Sequence, residues 1–191
     1  MFWDPDQLRA RDLLFERIRG LSETNPVVMI DGPSGAGKTS LANYLAHTVM
    51  PAAQVINMDN IYPGWDGLDA AIETITRDVL APLQREGVGR WRLWDWSENK
   101  PSGWSTVKHN GPMIVEGCGT LARSTVVYSH LRVWLDADER VRKHRALARD
   151  GAVFEKHWDQ WQNSFDRYVE RESPRDSADL ILTVSGWNFD R

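Results

Sequence analysis

Val27-Val28-Met29-Ile30-Asp31-Gly32-Pro33-Ser34-Gly35-Ala36-Gly37-Lys38-Thr39 is the stretch from which the rest of the chain can be read. Its first four residues form a short apolar run of the kind that makes a buried strand. Gly32 to Thr39 fits G-x-x-x-x-G-K-[ST], and Leu41, Ala42, Leu45 and Ala46 after it carry a helical period. Strand, glycine-rich turn and helix in that order predict a loop whose successive N–H groups point at phosphate oxygens, with the positive end of the helix behind them. Gly32, Pro33, Ser34, Gly35, Ala36, Gly37, Lys38, Thr39 and Ser40 are the expected nucleotide-binding set. Lys38 would bring a point charge to the outer phosphates, and the Thr39 hydroxyl is placed to bind Mg²⁺.

The bulk composition narrows what surrounds this loop. A chain of 191 residues can bury one good core, and a single domain over 1–191 is expected. Its net charge of −4 argues against wrapping nucleic acid, which calls for a positive surplus. No apolar run approaches the ~18 residues needed to cross a bilayer. The start, Met1-Phe2-Trp3-Asp4-Pro5, lacks the basic-then-apolar layout of a signal peptide. A lone cysteine, Cys118, suits a reducing, cytoplasmic setting. His47, His109, His130, His144 and His157 show no metal-ligand spacing. Ten tryptophans are many for this length, and they serve either a core or a platform for a flat ligand.

Upstream of the loop, Asp4-Pro5-Asp6-Gln7 reads as a helix start with Asp4 as N-cap, and the apolar stripe Leu14, Ile18 and Leu21 runs past Gly20. Downstream, Gln54 to Met58 reads as a second strand, and Asp59 to Gly67 as a loop rich in turn formers. Leu68, Ile72, Ile75, Val79 and Leu83 share one helical face, with Pro82 expected to kink its last turn. Arg90 to Trp96 alternates like a strand or hairpin arm, whereas Ser97 to Pro112 has no period and is expected to be an irregular excursion. Met113 to Gly117 and Leu131 to Asp136 read as buried strands. A basic helix follows to Arg149, where Asp150-Gly151 ends it. The next helix carries Phe154, Trp158, Trp161, Phe165 and Tyr168 on one stripe, expected to be mostly core. Leu180 to Val184 is the last strand and Ser185-Gly186-Trp187 the last loop. Alternation of strands and helices predicts an α/β fold with a parallel sheet covered on both faces.

Taken in order, Gly32–Thr39, Asp59-Asn60-Ile61-Tyr62, Trp94-Asp95-Trp96, Ile114-Val115-Glu116-Gly117 and the basic run Arg140 to Arg149 make the chain resemble the P-loop small-molecule kinases, most closely the uridine kinase/phosphoribulokinase branch. The resemblance implies the P-loop NTPase fold: a three-layer α/β/α architecture, a five-stranded parallel sheet of order 2-3-1-4-5, and a helical lid. It implies transfer of the γ-phosphate of ATP, with Mg²⁺, to the hydroxyl of a small molecule, most closely a nucleoside. Asp59 would then take the proton from the attacking hydroxyl, and Glu116 would help Thr39 hold the metal. Arg145 and Arg149 would clamp phosphate from the lid, with Arg142, Arg171 and Arg175 as further candidates. Trp94, Asp95 and Trp96 fall where such kinases contact the nucleoside, with Arg92 on the same segment and Tyr62 and Trp65 as an opposite wall. Asn99 stands where that branch carries a histidine, which sets this acceptor apart from plain uridine or cytidine. Expected partners are ATP and a small hydroxyl acceptor, without nucleic acid or membrane, the chain being a monomer or homodimer.

Two other readings fit part of the pattern. Asp31 to Lys38 also resembles the loop of cytidylate-type monophosphate kinases, but these need arginines for the acceptor's phosphate, and only Arg90 and Arg92 lie in the substrate segment. A nucleotide-dependent switch would keep Lys38 and Thr39 without needing Asp59 or lid arginines.

Overall fold

The computed structural model describes residues 5–184. Asp4, expected to cap the first helix, and Ser185-Gly186-Trp187, expected as the last loop, lie outside the described residues. The elements run α1 (Pro5–Arg19), β1 (Val27–Asp31), α2 (Lys38–Thr48), β2 (Gln54–Asn57), α3 (Leu68–Thr74), α4 (Ala81–Glu86), β3 (Val88–Asp95), β4 (Lys100–Lys108), β5 (Met113–Glu116), β6 (Leu131–Asp136), α5 (Glu139–Glu172) and β7 (Leu180–Thr183).

Five of the seven strands form one parallel sheet in the order β2-β5-β1-β6-β7. The expected 2-3-1-4-5 needs correction, because the chain has two further strands. These, β3 and β4, fall between the second and third strands of the sheet and pair only with each other. The segment expected to be an irregular excursion therefore contains β4. Its pattern is faint because, apart from Val107, its side chains are exposed or only partly covered, so little apolar alternation is required of it.

Alternation along the parallel strands builds two cores. Val28, Ile30, Ile114, Val133 and Leu135 point to the face covered by α1 and α2, where they meet Leu14, Ile18, Leu41 and Leu45. Met29, Met113, Val115 and Trp134 point to the other face, covered by α3, α4, the hairpin and α5. Each such fully buried aliphatic side chain contributes about 1.5–3 kcal/mol relative to exposure. A charge at Ile30, which is 0% exposed, would break the first core outright.

Between α3 and α4 the helix takes a π-helical stretch, Ile75–Leu80. Pro82 has no N–H to donate, and the wider turn ahead of it is the local answer to the expected kink. There the backbone comes so close to β3 that a side-chain carbon on Gly89 would sit 2.6 Å from the Val79 carbonyl oxygen. Because every sheet strand points the same way, Asp31, Asn57, Glu116 and Asp136 all end at one edge. That is the edge where open α/β sheets bind ligands.

α5 spans 34 residues but is broken at Gly151, whose φ of 66° and ψ of −155° are not helical. Only a residue free to take positive φ can make this break, which agrees with the expected end of the basic helix at Asp150-Gly151. Asp138 caps its start, accepting from the N–H groups of Arg140 and Val141. Among the described residues, no helix is long and apolar enough to cross a membrane.

Candidate active site

The loop between β1 and α2 makes a tight turn with Gly32, Gly35 and Gly37 at positive φ. Gly35 is dictated by packing as well, since a side-chain carbon there would lie 2.1 Å from the Arg142 carbonyl oxygen of α5. Lys38 is folded back onto this loop: its ammonium donates to the carbonyls of Gly32 (2.7 Å) and Pro33 (3.0 Å). It also lies 3.5 Å from the Cys118 sulfur. Burial pushes the Cys118 thiol up to about 11, so it is a neutral filler that donates to the Gly32 carbonyl.

Thr39 and Glu116 meet across the β1–β5 pair. The Thr39 hydroxyl donates to a Glu116 carboxylate oxygen at 2.9 Å. Glu116 is 1% exposed; burial first, and the nearby charge of Asp59 second, raise its pKa to about 7 against the lowering effects of Lys38 and Thr39. Asp59 follows β2 in a 3₁₀ turn, Met58–Asn60, that the Asn57 side chain caps by accepting from the Asp59 N–H at 2.7 Å. Burial also raises the pKa of the Asp59 carboxyl, opposed by the charges of Arg149 and Lys38.

Asp31 has a different task. Fully buried, it accepts hydrogen bonds from the N–H groups of Gly32 (2.6 Å), Gly119 (3.1 Å) and Leu121 (2.8 Å) and from the Tyr168 hydroxyl (2.7 Å). Burial raises its pKa, and the bonds from Tyr168, Leu121 and Gly32, with the charge of Lys38, hold it down. It ties the root of the phosphate loop to the loop after β5 and to α5.

One cavity of about 480 Å³ joins these groups. Its floor is Ser34, Thr39, Asn57 and Asp59; its roof is Arg149, Asp150, Val153, Phe154 and Trp161 of α5; its side wall is Tyr62, Trp65 and Trp96. The wall is a stack of rings. Trp65 lies 5.1 Å from Phe154 at 14° and 4.8 Å from His157 at 10°, and it meets Trp96 at 4.6 Å. Trp96 is fixed by an indole N–H bond to the Asp59 main-chain carbonyl (2.8 Å). Tyr62 is fixed by its hydroxyl on the Cys118 carbonyl (2.8 Å).

Other expected site residues lie elsewhere. Arg92 and Trp94 line a separate groove on the outer face of the hairpin. Trp94 lies past an irregularity in the β3–β4 pairing that follows Arg92, and Trp96 sits in the turn beyond β3, where alternation no longer holds. Asp95 is committed to that turn, accepting from the Ser97 N–H, the Ser97 hydroxyl and the Glu98 N–H; the hydroxyl bond above all lowers its pKa. Asn99 closes the turn at a φ of 48°. Arg145 reaches the Val184 carbonyl at 3.5 Å and is not part of the cavity lining. Arg142 is buried, donating to the Ser34 carbonyl at 3.1 Å and so seating α5 on the phosphate loop. Arg171 pairs with Asp69 and Glu172, and Arg175 with Asp136. Arg149 does face the cavity, bound to Asp150 at 2.7 and 2.8 Å.

Five contributors were not expected: Asn57, Phe154 and Trp161, with Asp150 and Val153 beside the break in α5. Asn57 had the signal of an Asx residue two positions before Asp59. Phe154 and Trp161, expected as mostly core, serve both the core and the cavity roof.

No family model matches the chain, and no curated protein does either. Among solved structures, a possible uridine kinase from Bacillus stearothermophilus superposes with a TM-score of 0.68 at 22% identity, over 92% of this chain and 98% of that one. A candidate fructose transport system kinase from Silicibacter sp. TM1040 superposes at 0.54 and 17%, over 92% and 97%. At such identities the likeness shows the fold alone: this chain shares with both structures an α/β architecture around a five-stranded parallel sheet.

Proposed function

We propose that the chain is a phosphotransferase that moves the γ-phosphoryl group of ATP to a hydroxyl of a small, flat, nucleoside-like acceptor. The observation that carries this reading is the shared cavity: Ser34 and Thr39 of the phosphate loop open into the same space as Asp59 and a wall of rings. Transfer to a hydroxyl asks for positioning, charge neutralisation and removal of one proton. Asp59 fits the last role, since a carboxylate with a raised pKa binds a proton more strongly. The Asn57 cap and the Trp96 bond fix the backbone that presents it. Lys38 would exchange two loop carbonyls for phosphate oxygens, and Arg149 supplies a second positive charge from above.

Thr39 and Glu116 are the residues that would hold Mg²⁺, which supplies positive charge against the outer phosphates. The fit rests on a hard hydroxyl–carboxylate pair whose acid is burdened by the neighbouring charge of Asp59. Among the described residues there is no cluster of three or more His, Cys, Asp or Glu. Phosphate and water would therefore complete the shell, as Mg²⁺ prefers.

The monophosphate-kinase alternative is weakened because Arg90 and Arg92 line the outer groove and not this cavity. A pure switch would have no use for a carboxylate and stacked rings beside the phosphate loop. An ATP-consumption screen over nucleosides, nucleoside monophosphates, sugars and small alcohols tests the proposal. A nucleoside-like compound should stimulate ADP release, and stimulation by no acceptor would sink it.

A further inference from the structure

The outer face of the hairpin carries a second concavity, of about 500 Å³, walled by Trp94, Trp104, Pro63 and the arginines Arg90 and Arg92. Arg90 and Arg92 are two residues apart on β3, so both project from the same face. Their guanidinium groups lie 4.2 and 5.2 Å from the Trp104 ring, which orients them. Neither has a carboxylate partner among the described residues, and both are exposed. Of the other charges here, Arg77 is shared between Asp78 and Glu73 through 2.8 Å bonds, which leaves one negative charge against the two positive charges of Arg90 and Arg92. The net charge presented is therefore positive, in a chain that is negative overall. Trp94 adds a flat wall and an indole N–H that is out of water and has no hydrogen-bond partner.

We propose that this groove is a second ligand site, for a flat ring bearing a phosphate, as in a nucleoside monophosphate. The phosphate would lie between the two guanidinium forks, whose planar donor pairs match its oxygens. The ring would pack on Trp94 and Pro63. The size falls within the range of small-molecule sites. Pro63 belongs to the segment between Asp59 and Trp65, so a ligand seated here touches the back of the loop that lines the acceptor cavity.

The test is calorimetric titration of the full chain with UMP and with AMP, in the presence of saturating AMP-PNP. Uridine, inorganic phosphate and benzoate serve as comparison ligands. Saturable binding of UMP or AMP is expected. Arg90→Ala with Arg92→Ala should weaken it at least ~10-fold, as loss of charge-assisted contacts implies. Arg92→Lys, which keeps charge but not the fork, should fall between, and Trp65→Ala should leave binding in place. Thermal melting of each variant guards against loss of fold; the arginines are exposed and should leave the midpoint unchanged. Absence of saturable binding overturns the site, and so does binding indifferent to the arginines or abolished by Trp65→Ala. Benzoate binding as tightly as the nucleotides would overturn the assignment to a phosphate ligand. None of these outcomes depends on whether the acceptor cavity catalyses transfer.

Discussion

The two halves of the cavity are built in opposite ways. The donor half is local: Gly32 to Thr39 is one continuous stretch, and its long-range partners are few, chiefly Glu116 beside Thr39 and Arg142 beside Ser34. The acceptor half is assembled from distant pieces, with Asp59, Tyr62 and Trp65 from one loop, Trp96 from the hairpin turn, and Phe154 and Trp161 from α5. Main-chain N–H groups and one lysine suffice for phosphate, because phosphate is the same in every nucleotide. An acceptor differs from one enzyme to another, and side chains from separate elements can vary independently to fit it. Substitutions in one half should therefore leave the function of the other largely intact.

The largest test of that separation is Asp59→Asn. Turnover should fall by ~10²–10⁴-fold, the usual range for losing a general base, with ATP affinity measured by titration nearly unchanged. A comparable loss of ATP affinity would mean that the halves are not separable. Lys38→Ala should act on the donor side, lowering kcat by ~10²–10³-fold and weakening ATP as well, while the acceptor KM stays put.

Trp65→Ala is the converse probe. It removes the ring common to two stacked contacts and one tilted one, so the acceptor KM should rise ~10-fold and stability should drop by ~1–3 kcal/mol. ATP affinity equal to wild type would sharpen the contrast, and an affinity loss matching the KM change would break it. The smallest effect concerns Glu116. Its carboxyl titrates at about 7 in the fold against an ordinary 4.5, so the native chain keeps a proton that the unfolded chain has released. This group contributes stability that is fully present below pH 4.5 and lost as pH climbs to about 7. Glu116→Gln should flatten that part of the nucleotide-free stability profile, measured by denaturant titration across the window. An unchanged slope would assign the pH dependence to other carboxyls.

The same contrast explains what could be read before the structure. The phosphate loop and its flanks were legible because every determinant lies within a few residues. Buried strands such as Met113–Glu116 were legible because both faces are covered and an unbroken apolar run, Met113 to Val115, leads to the strand end. β4 was not, since its single buried side chain, Val107, gives no period. Arg92 and Trp94 were expected beside Trp96, but they line the groove on the hairpin while the turn after Asp95 brings Trp96 to the cavity, and the register shift after Arg92 is invisible in sequence. Arg145 shares a helix face with Arg149 in sequence, yet its guanidinium lies beside the Val184 carbonyl, just past β7, while Arg149 lines the cavity. Phe154 and Trp161 show the limit of a stripe: helical spacing locates one face of α5 without telling which part of that face meets the core and which meets the cavity.

The break at Gly151 acquires a mechanical meaning from its neighbours. On one side of it, α5 is pinned to the phosphate loop through Arg142 and the tight seat over Gly35; on the other, Tyr168 bolts it to Asp31 at the root of the same loop. A cover fixed at both ends cannot swing like a door. It can only flex at its joint, as a strap with a crease does, and Arg149, Asp150, Val153 and Phe154 ride on that crease. If the cavity takes an acceptor as proposed, opening for it and closing over it would be one short excursion about a single residue, made while the loop of Gly32–Thr39 keeps its shape.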